Sequence, residues 1–206
     1  MAENTPIIVY TAECIGNAAN CLYPNEVKIT DEFSAKLAFA TDMVCARYKN
    51  NYRNTANFEV ANALPGDCDN DHSDEPADWV TPEDIADLFA DVSYVLHFSR
   101  HHMKPKGEKG ARPRFHIVFL TDPEQDADRY TALKQRLLTS FPFFDANAIH
   151  RNTCDCCKNY TKRIFWRFLV APPPPEYSCK HSFRHISPPV SVKSRATLQD
   201  ILHFSA

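Results

Sequence analysis

GDCDNDHSD, residues 66 to 74, carries four aspartates and one histidine in nine positions. In an extended strand alternate side chains share a face, so Asp67 and Asp69 are predicted to project together while Cys68 turns toward a core. Like charges this close require a counter-ion, and hard cations such as Mg²⁺ take oxygen ligands, typically one or two carboxylates from the protein. The stretch therefore predicts a Mg²⁺ or Mn²⁺ site that is open to a phosphate-bearing substrate.

Two other interpretations fit the same stretch. Most runs of acidic residues are solvated loops, which is the simpler interpretation. The other is an EF-hand calcium loop, whose positions 1, 3, 5 and 12 would here be Asp67, Asp69, Asp71 and Asp78. The EF-hand pattern requires Gly where this chain has His72 and Glu where it has Asp78, and no helix leads into the loop, so we disfavour it.

The length and composition of the chain limit its architecture. With 206 residues, 44% hydrophobic and 12% aromatic, the chain suits one large globular domain or two small ones. No apolar run approaches the roughly 18 residues that span a membrane, and the first residues lack the basic start of a secretory signal. We therefore expect a cytoplasmic protein with no membrane partner, whose eight cysteines are thiols or metal ligands rather than disulfides.

The charge is distributed unevenly along the chain. Residues 151–206 contain nine Lys or Arg and three acids, which gives a net charge of +6 there and of −9 for residues 1–150. An acidic body with a basic end is a common arrangement in proteins that bind a polyanion.

The hydrophobic pattern predicts strands and helices around the acidic stretch. We expect strands at residues 6–10, 58–64, 92–98 and 112–120, the second of which leads into the aspartates. We expect helices at residues 31–48 behind Thr30, at 82–89 behind Thr81, and from Thr121 or Asp122 to Ser140. The stripe of the first helix that is predicted to face the core is Phe33, Leu37, Met43 and Val44.

Two polar side chains, Arg114 and His116, begin a strand that is otherwise apolar on both faces. A histidine among apolar neighbours is most often a hydrogen-bonded core residue. Here, however, a basic loop at residues 99–110 precedes the strand, and its lysines, Lys104 and Lys106 among them, create a field that attracts phosphate. The cluster therefore favours an anion-binding role for this end of the strand.

A lone acid, Asp145, lies in the aromatic run at residues 141–149. A carboxylate that such neighbours desolvate needs a cation or a hydrogen-bond partner, although an isolated Asp can also cap a turn. A metal shared with Asp67 and Asp69 would meet that need.

In order along the chain, three short motifs resemble those of the archaeo-eukaryotic primase superfamily, in particular the primase-polymerase domains of phages, plasmids and integrated elements. They are Asp-Cys-Asp at residues 67–69, His116 in PRFH, and Asp145 in FFD. The resemblance covers residues 58–149. It implies an α+β fold in which an N-terminal α/β unit joins a sheet like that of an RNA-recognition domain, with the acids and the histidine in the cleft between them.

The resemblance also implies an activity, namely templated nucleotidyl transfer by a DNA primase or primase-polymerase that uses Mg²⁺ or Mn²⁺. The implied metal ligands are Asp67, Asp69 and Asp145, and the predicted nucleotide-binding residues are His116, Arg114, Lys104 and Lys106. The implied partners are a single-stranded DNA template, nucleoside triphosphates and a replicative helicase. Two alternatives remain open: a non-catalytic nucleic-acid-binding replication module, and a metal-dependent nuclease that uses the same acids with His72 or His116.

The sequence departs from the superfamily after Ile149, so we divide the chain into a catalytic core, residues 1–150, and a divergent basic segment with Cys and Pro, residues 151–206. That segment has enough sulfur and nitrogen ligands for a tetrahedral zinc site. The candidate zinc ligands are Cys154, Cys157, Cys179 and His181. Free thiols are the alternative, because Cys-x-Cys-Cys is not the usual Cys-x₂-Cys spacing.

Overall fold

The computed structural model describes residues 5–146, and the backbone alone of residues 153–154 and 164–167. Within these residues the chain has a mixed α+β fold with two antiparallel sheets and three α-helices, as the α+β prediction expected. No helix in this part of the chain combines the length and the apolar character that crossing a bilayer requires.

The first sheet has four strands in the order β2-β1-β3-β8. They are β1 (Ile7–Thr11), β2 (Asn25–Ile29), β3 (Met43–Val44) and β8 (Thr153–Cys154). The strand predicted at residues 6–10 is therefore confirmed as β1, and it pairs along its whole length with β2. The short strand β8 comes from beyond residue 150 and extends this sheet.

The first helix, α1 (Glu32–Ala38), is much shorter than the predicted helix at residues 31–48. Its N-cap is Asp31 rather than Thr30, because Asp31 and Ser34 form a reciprocal capping box. The predicted apolar stripe is also wrong, since Phe33 and Leu37 are exposed and the helix buries alanines instead. Residues 43–44 are buried as predicted, but they pair with β1 as a strand. This long-range pairing overrides a periodicity that is helical only locally.

The second sheet has five strands in the order β4-β5-β7-β6-β9. They are β4 (Arg47–Tyr48), β5 (Phe58–Cys68), β6 (Tyr94–Phe98), β7 (Phe115–Glu124) and β9 (Ile164–Arg167). The strand predicted at residues 58–64 is confirmed as β5, which continues through Asp67 to Cys68, and Asp69 follows it directly. Its register places Asp67 opposite His116 of β7, which in turn lies opposite His97 of β6.

Two further helices cover the second sheet, α2 (Pro82–Leu88) and α3 (Ala127–Ser140). The prediction for α2 is confirmed, including the capping box between Thr81 and Asp84. In contrast, α3 begins later than predicted, at a cap provided by Asp126, because β7 continues to Glu124 and pairs there with β5.

The second sheet is buried on both faces. Phe115, Ile117 and Phe119 pack with residues of α2 and α3, whereas Val118 packs with residues of the first sheet. This alternation in β7 agrees with the prediction of a strand that is apolar on both sides. Since Asp67, His116 and His97 occupy one cross-strand row, their side chains lie on the face that Val118 shares, toward the first sheet.

Candidate metal centre

Three aspartates that are distant in sequence come together at the end of β5. One carboxylate oxygen from each of Asp67, Asp69 and Asp145 lies within 4.8 Å of the other two. Asp67 and Asp69 are only 8% and 7% exposed, and Cys68 between them is fully buried in the core. The alternation expected of a strand thus aims the first two acids at one site.

The turn after Asp69 is fixed by Asn70, a buried residue that the sequence analysis did not identify. Its backbone has a φ of 55°, in the left-handed region that Asn tolerates better than most residues. Its side-chain amide donates to the carbonyls of Val80 and Pro113, at 2.9 and 2.8 Å, and accepts from the Val80 amide. These bonds hold the chain behind Asp69 against the segment that enters β7.

Asp145 reaches the pair through a close contact between Gly66 and Phe144. The Phe144 ring packs on the glycine, and a Cβ at position 66 would lie 3.0 Å from Phe144 Cε1. The Asp145 backbone amide then donates to the Asp67 carbonyl at 2.8 Å. The aromatic run therefore positions the third acid by packing as well as by hydrogen bonding.

His116 lies beside the acids, with Nδ1 3.1 Å from Asp67 Oδ1. Burial acts to lower the pKa of His116, but the carboxylate of Asp67 and the charge of Asp69 outweigh it and hold that pKa above its ordinary value. Neither Asp67 Oδ1 nor His116 Nδ1 makes a regular hydrogen bond within the described residues. The pair is thus a buried carboxylate that faces a buried imidazole in an arrangement that favours the protonated ring.

His97 is a second buried histidine in this row and was not singled out from the sequence. Its ring stacks on Phe39 at 4.2 Å and lies 5.0 Å from the His116 ring. Burial, and then the charge of His116, hold the pKa of His97 well below its ordinary value, so it is neutral. Its position in an apolar strand was visible in the sequence, but its pairing with His116 depends on the register.

Asp69 contacts two cationic side chains. The Lys106 ammonium touches Oδ2, and the Arg114 Nε lies 3.6 Å from Oδ1. The Arg114 side chain has no exposed surface, and its other nitrogens lie near the Lys104 carbonyl and Asp71, at 2.9 and 3.3 Å. Arg114 is therefore placed to orient Asp69, whereas the side chains of Lys104 and Lys106 lie at the surface.

The outer aspartates of the acidic stretch have structural partners instead. Asp74 binds Arg112 at 2.9 Å and Lys109 at 3.1 Å, and the Arg112 guanidinium also lies 5.2 Å from the centre of the Trp79 ring. These contacts tie the stretch to the basic loop. The stretch is therefore buried through Asn70, whereas Asp71 and Asp74 lie at the surface in ion pairs.

An EF-hand loop is also inconsistent with the geometry. Asp78 accepts a hydrogen bond from Ser73 at 2.8 Å, and Asp67 lies in a strand. His72, which the nuclease alternative invoked, is exposed and its Nε2 lies 3.0 Å from the Asp78 carbonyl. Within the described residues, only the set of Asp67, Asp69 and Asp145 brings three possible ligands together.

The predicted zinc ligands cannot be compared in the same way. The backbone of Cys154 belongs to β8, but its side chain lies outside the described residues, as do Cys157, Cys179 and His181. Among the described residues, the cysteines with free thiols are Cys14, Cys21, Cys45 and Cys68.

No protein-family model, no curated protein and no solved structure matches the chain. Its function is therefore inferred from the geometry of the acids, the buried histidine and the lysines around them.

Proposed function

We propose that the chain is a metal-dependent nucleotidyltransferase of the primase-polymerase type, which acts in the replication of a phage, plasmid or integrated element. The observation that carries this proposal is the convergence of Asp67, Asp69 and Asp145, the acids of two motifs far apart in sequence. In this proposal, the sheet formed by β5, β7 and β6 is the RNA-recognition-like module, and the first sheet with α1 is the N-terminal α/β unit.

The donor set fits a divalent cation. Carboxylate oxygens are the ligands that Mg²⁺ and Mn²⁺ prefer. Asp67 Oδ1 is buried and faces His116 Nδ1 at 3.1 Å without a regular hydrogen bond in the described residues, so a bound cation would add to the compensation that a buried carboxylate requires. Bound by these acids, the cation would lower the pKa of an attacking 3′-hydroxyl and neutralise the pyrophosphate that leaves.

The chain's own residues would position the phosphates. The His116 imidazole is buried beside the acids, and the Asp67 carboxylate 3.1 Å away raises its pKa, which favours its cationic form. Lys104 and Lys106 add positive charge on the loop at the mouth of the site. Phosphoryl transfer depends on such positioning and charge neutralisation more than on a covalent nucleophile. The corresponding partners are nucleoside triphosphates, a single-stranded DNA template and a replicative helicase.

Primer extension and dinucleotide synthesis on single-stranded DNA, with Mn²⁺ or Mg²⁺, test this function. We expect Asp67→Asn and Asp145→Asn to reduce the rate by at least about 100-fold, as expected when a group that stabilises the transition state is removed. Asp74→Asn is the matched control, because this acid belongs to the same stretch but pairs with Arg112 and Lys109 outside the site.

Wild-type rates in both site variants would refute the assignment. Degradation of a labelled primer in place of extension would instead identify a nuclease with the same acids. Salt-dependent DNA binding without nucleotide incorporation would identify a non-catalytic replication module.

A further inference from the structure

The two cations that contact Asp69 are held in very different ways. The Arg114 side chain is wholly buried, and contacts with the Lys104 carbonyl and Asp71 fix its guanidinium. The Lys106 side chain is 44% exposed, and its ammonium contacts Asp69 Oδ2. Only the lysine can leave Asp69 without disturbing buried structure.

The loop around Lys106 allows that movement. Lys106 and Lys109 exchange two backbone hydrogen bonds of 3.0 and 3.1 Å, which close a tight turn. Gly107 within the turn has a φ of 61°, and apart from its chain neighbours no atom of the described residues lies within 4 Å of the place where its Cβ would be. The backbone of the turn is thus anchored, and the Lys106 side chain, which is 44% exposed, already borders the solvent into which it would swing.

We propose that the Lys106 ammonium is an internal counter-ion of Asp69, which a divalent cation displaces and which then binds the phosphate that accompanies the cation. The inference rests on the metal centre of the proposed function. A divalent ion on the three aspartates would lie a few ångströms from the ammonium, where two positive charges repel each other. Lysine suits this exchange because it is a compact charge on a flexible stem, whereas the planar guanidinium of arginine is fixed by its several bonds.

The exchange makes the binding of cation and phosphate cooperative. Without phosphate, the cation must separate Lys106 from its only anionic partner within the described residues, Asp69. With phosphate present, the displaced ammonium gains a new anionic partner, so the cation binds more tightly. The coupling is reciprocal, as linkage requires, and the cation strengthens phosphate binding by the same factor.

The experiment measures Mn²⁺ binding from the electron paramagnetic resonance signal of free Mn²⁺, with inorganic phosphate as the anionic probe. Without phosphate, Lys106→Met is expected to bind Mn²⁺ about tenfold more tightly than wild type, within the usual range of coupling energies. Lys106→Gln should behave similarly, so the result does not depend on one substitution. Phosphate should tighten Mn²⁺ binding by the wild type more strongly than binding by either variant, because His116 and Lys104 remain in both variants.

Lys109→Met is the matched control, because Lys109 sits in the same turn but pairs with the exposed Asp74. We expect it to stay within about twofold of wild type, since solvent and salt screen exposed charges. Equal or weaker Mn²⁺ binding by both Lys106 variants would overturn the counter-ion exchange. If the wild type itself bound no Mn²⁺, or Asp69→Asn bound it normally, the metal centre would be refuted as well, and the two failures are therefore distinguishable.

Discussion

Gly66→Ala tests how the third acid reaches the site. The new Cβ would lie 3.0 Å from Cε1 and 3.3 Å from Cδ1 and Cζ of Phe144. The ring has little room to retreat, because it is buried and lies 4.6 Å from the Phe143 ring and 6.4 Å from the Phe89 ring. We therefore expect the displacement to pass along the chain to Asp145.

The magnitude follows from two opposing effects. Overpacking a tight core contact costs about 1 to 3 kcal/mol. Replacing Gly by Ala where the backbone permits it contributes about 0.4 to 1 kcal/mol in the other direction, by restricting the unfolded chain. The midpoints of these ranges leave a net loss of about 1.3 kcal/mol in unfolding free energy, which should lower the melting temperature by roughly 3 to 5 °C in a chain of this size.

Thermal unfolding and Mn²⁺ titration of the same samples check both parts of this prediction. Mn²⁺ binding should weaken by about tenfold, which is the loss of roughly 1.4 kcal/mol from one displaced ligand. Gly110→Ala is the control, since no atom lies within 4 Å of its added Cβ, and it should change stability by less than about 0.5 kcal/mol. Adding Phe144→Leu to Gly66→Ala should restore part of the stability by making room. Unchanged Mn²⁺ affinity in Gly66→Ala would refute the idea that Phe144 sets the position of Asp145.

Two further predictions concern buried polar residues. His97→Leu should raise the unfolding free energy at pH 7 by about 1 kcal/mol, because Nε2 of His97 is buried without a hydrogen-bond partner in the described residues. A lower unfolding free energy than that of the wild type, measured by denaturant titration, would contradict this account. Burial lowers the pKa of Lys134 from 10.5 to about 8. Between pH 8 and pH 10.5, Lys134 is therefore protonated in the unfolded chain but not in the folded chain, so the unfolding free energy rises with pH. Lys134→Met should remove that rise and be more stable than wild type at pH 7, and an unchanged pH profile of chemical unfolding would argue against the buried ammonium.

The sequence predicted those features that depend on neighbouring residues. The opposite orientations of Asp67 and Cys68 follow from strand alternation, and the start of α2 follows from the Thr81 cap. The end of α1 was not predicted, because no residue near it marks a helix end. Residues 43–44 instead pair with β1, which lies much earlier in the sequence. The approach of Asp145 was expected from its aromatic neighbours and from the resemblance to primases, but the contact between Phe144 and Gly66 on which it depends was not. The position of His97 beside His116 could not be predicted, because it depends on how β6 and β7 pair and not on the sequence of either strand alone.

The acidic stretch combines two uses of charge that a sequence alone does not separate. Asp71 and Asp74 pair with Arg112 and so fasten the acidic turn to the segment that enters β7. Arg114 itself is held by the Lys104 carbonyl and by Asp71, so its buried charge is a permanent neighbour of Asp69. Because Arg114 is fixed in this way, any change in the pairing of Asp69 with protein cations involves a side chain that reaches the surface. Of the two basic side chains paired with Asp69 in the described residues, Lys106 is partly exposed to solvent and Arg114 is not. Cation binding at the three aspartates should therefore depend on Lys106.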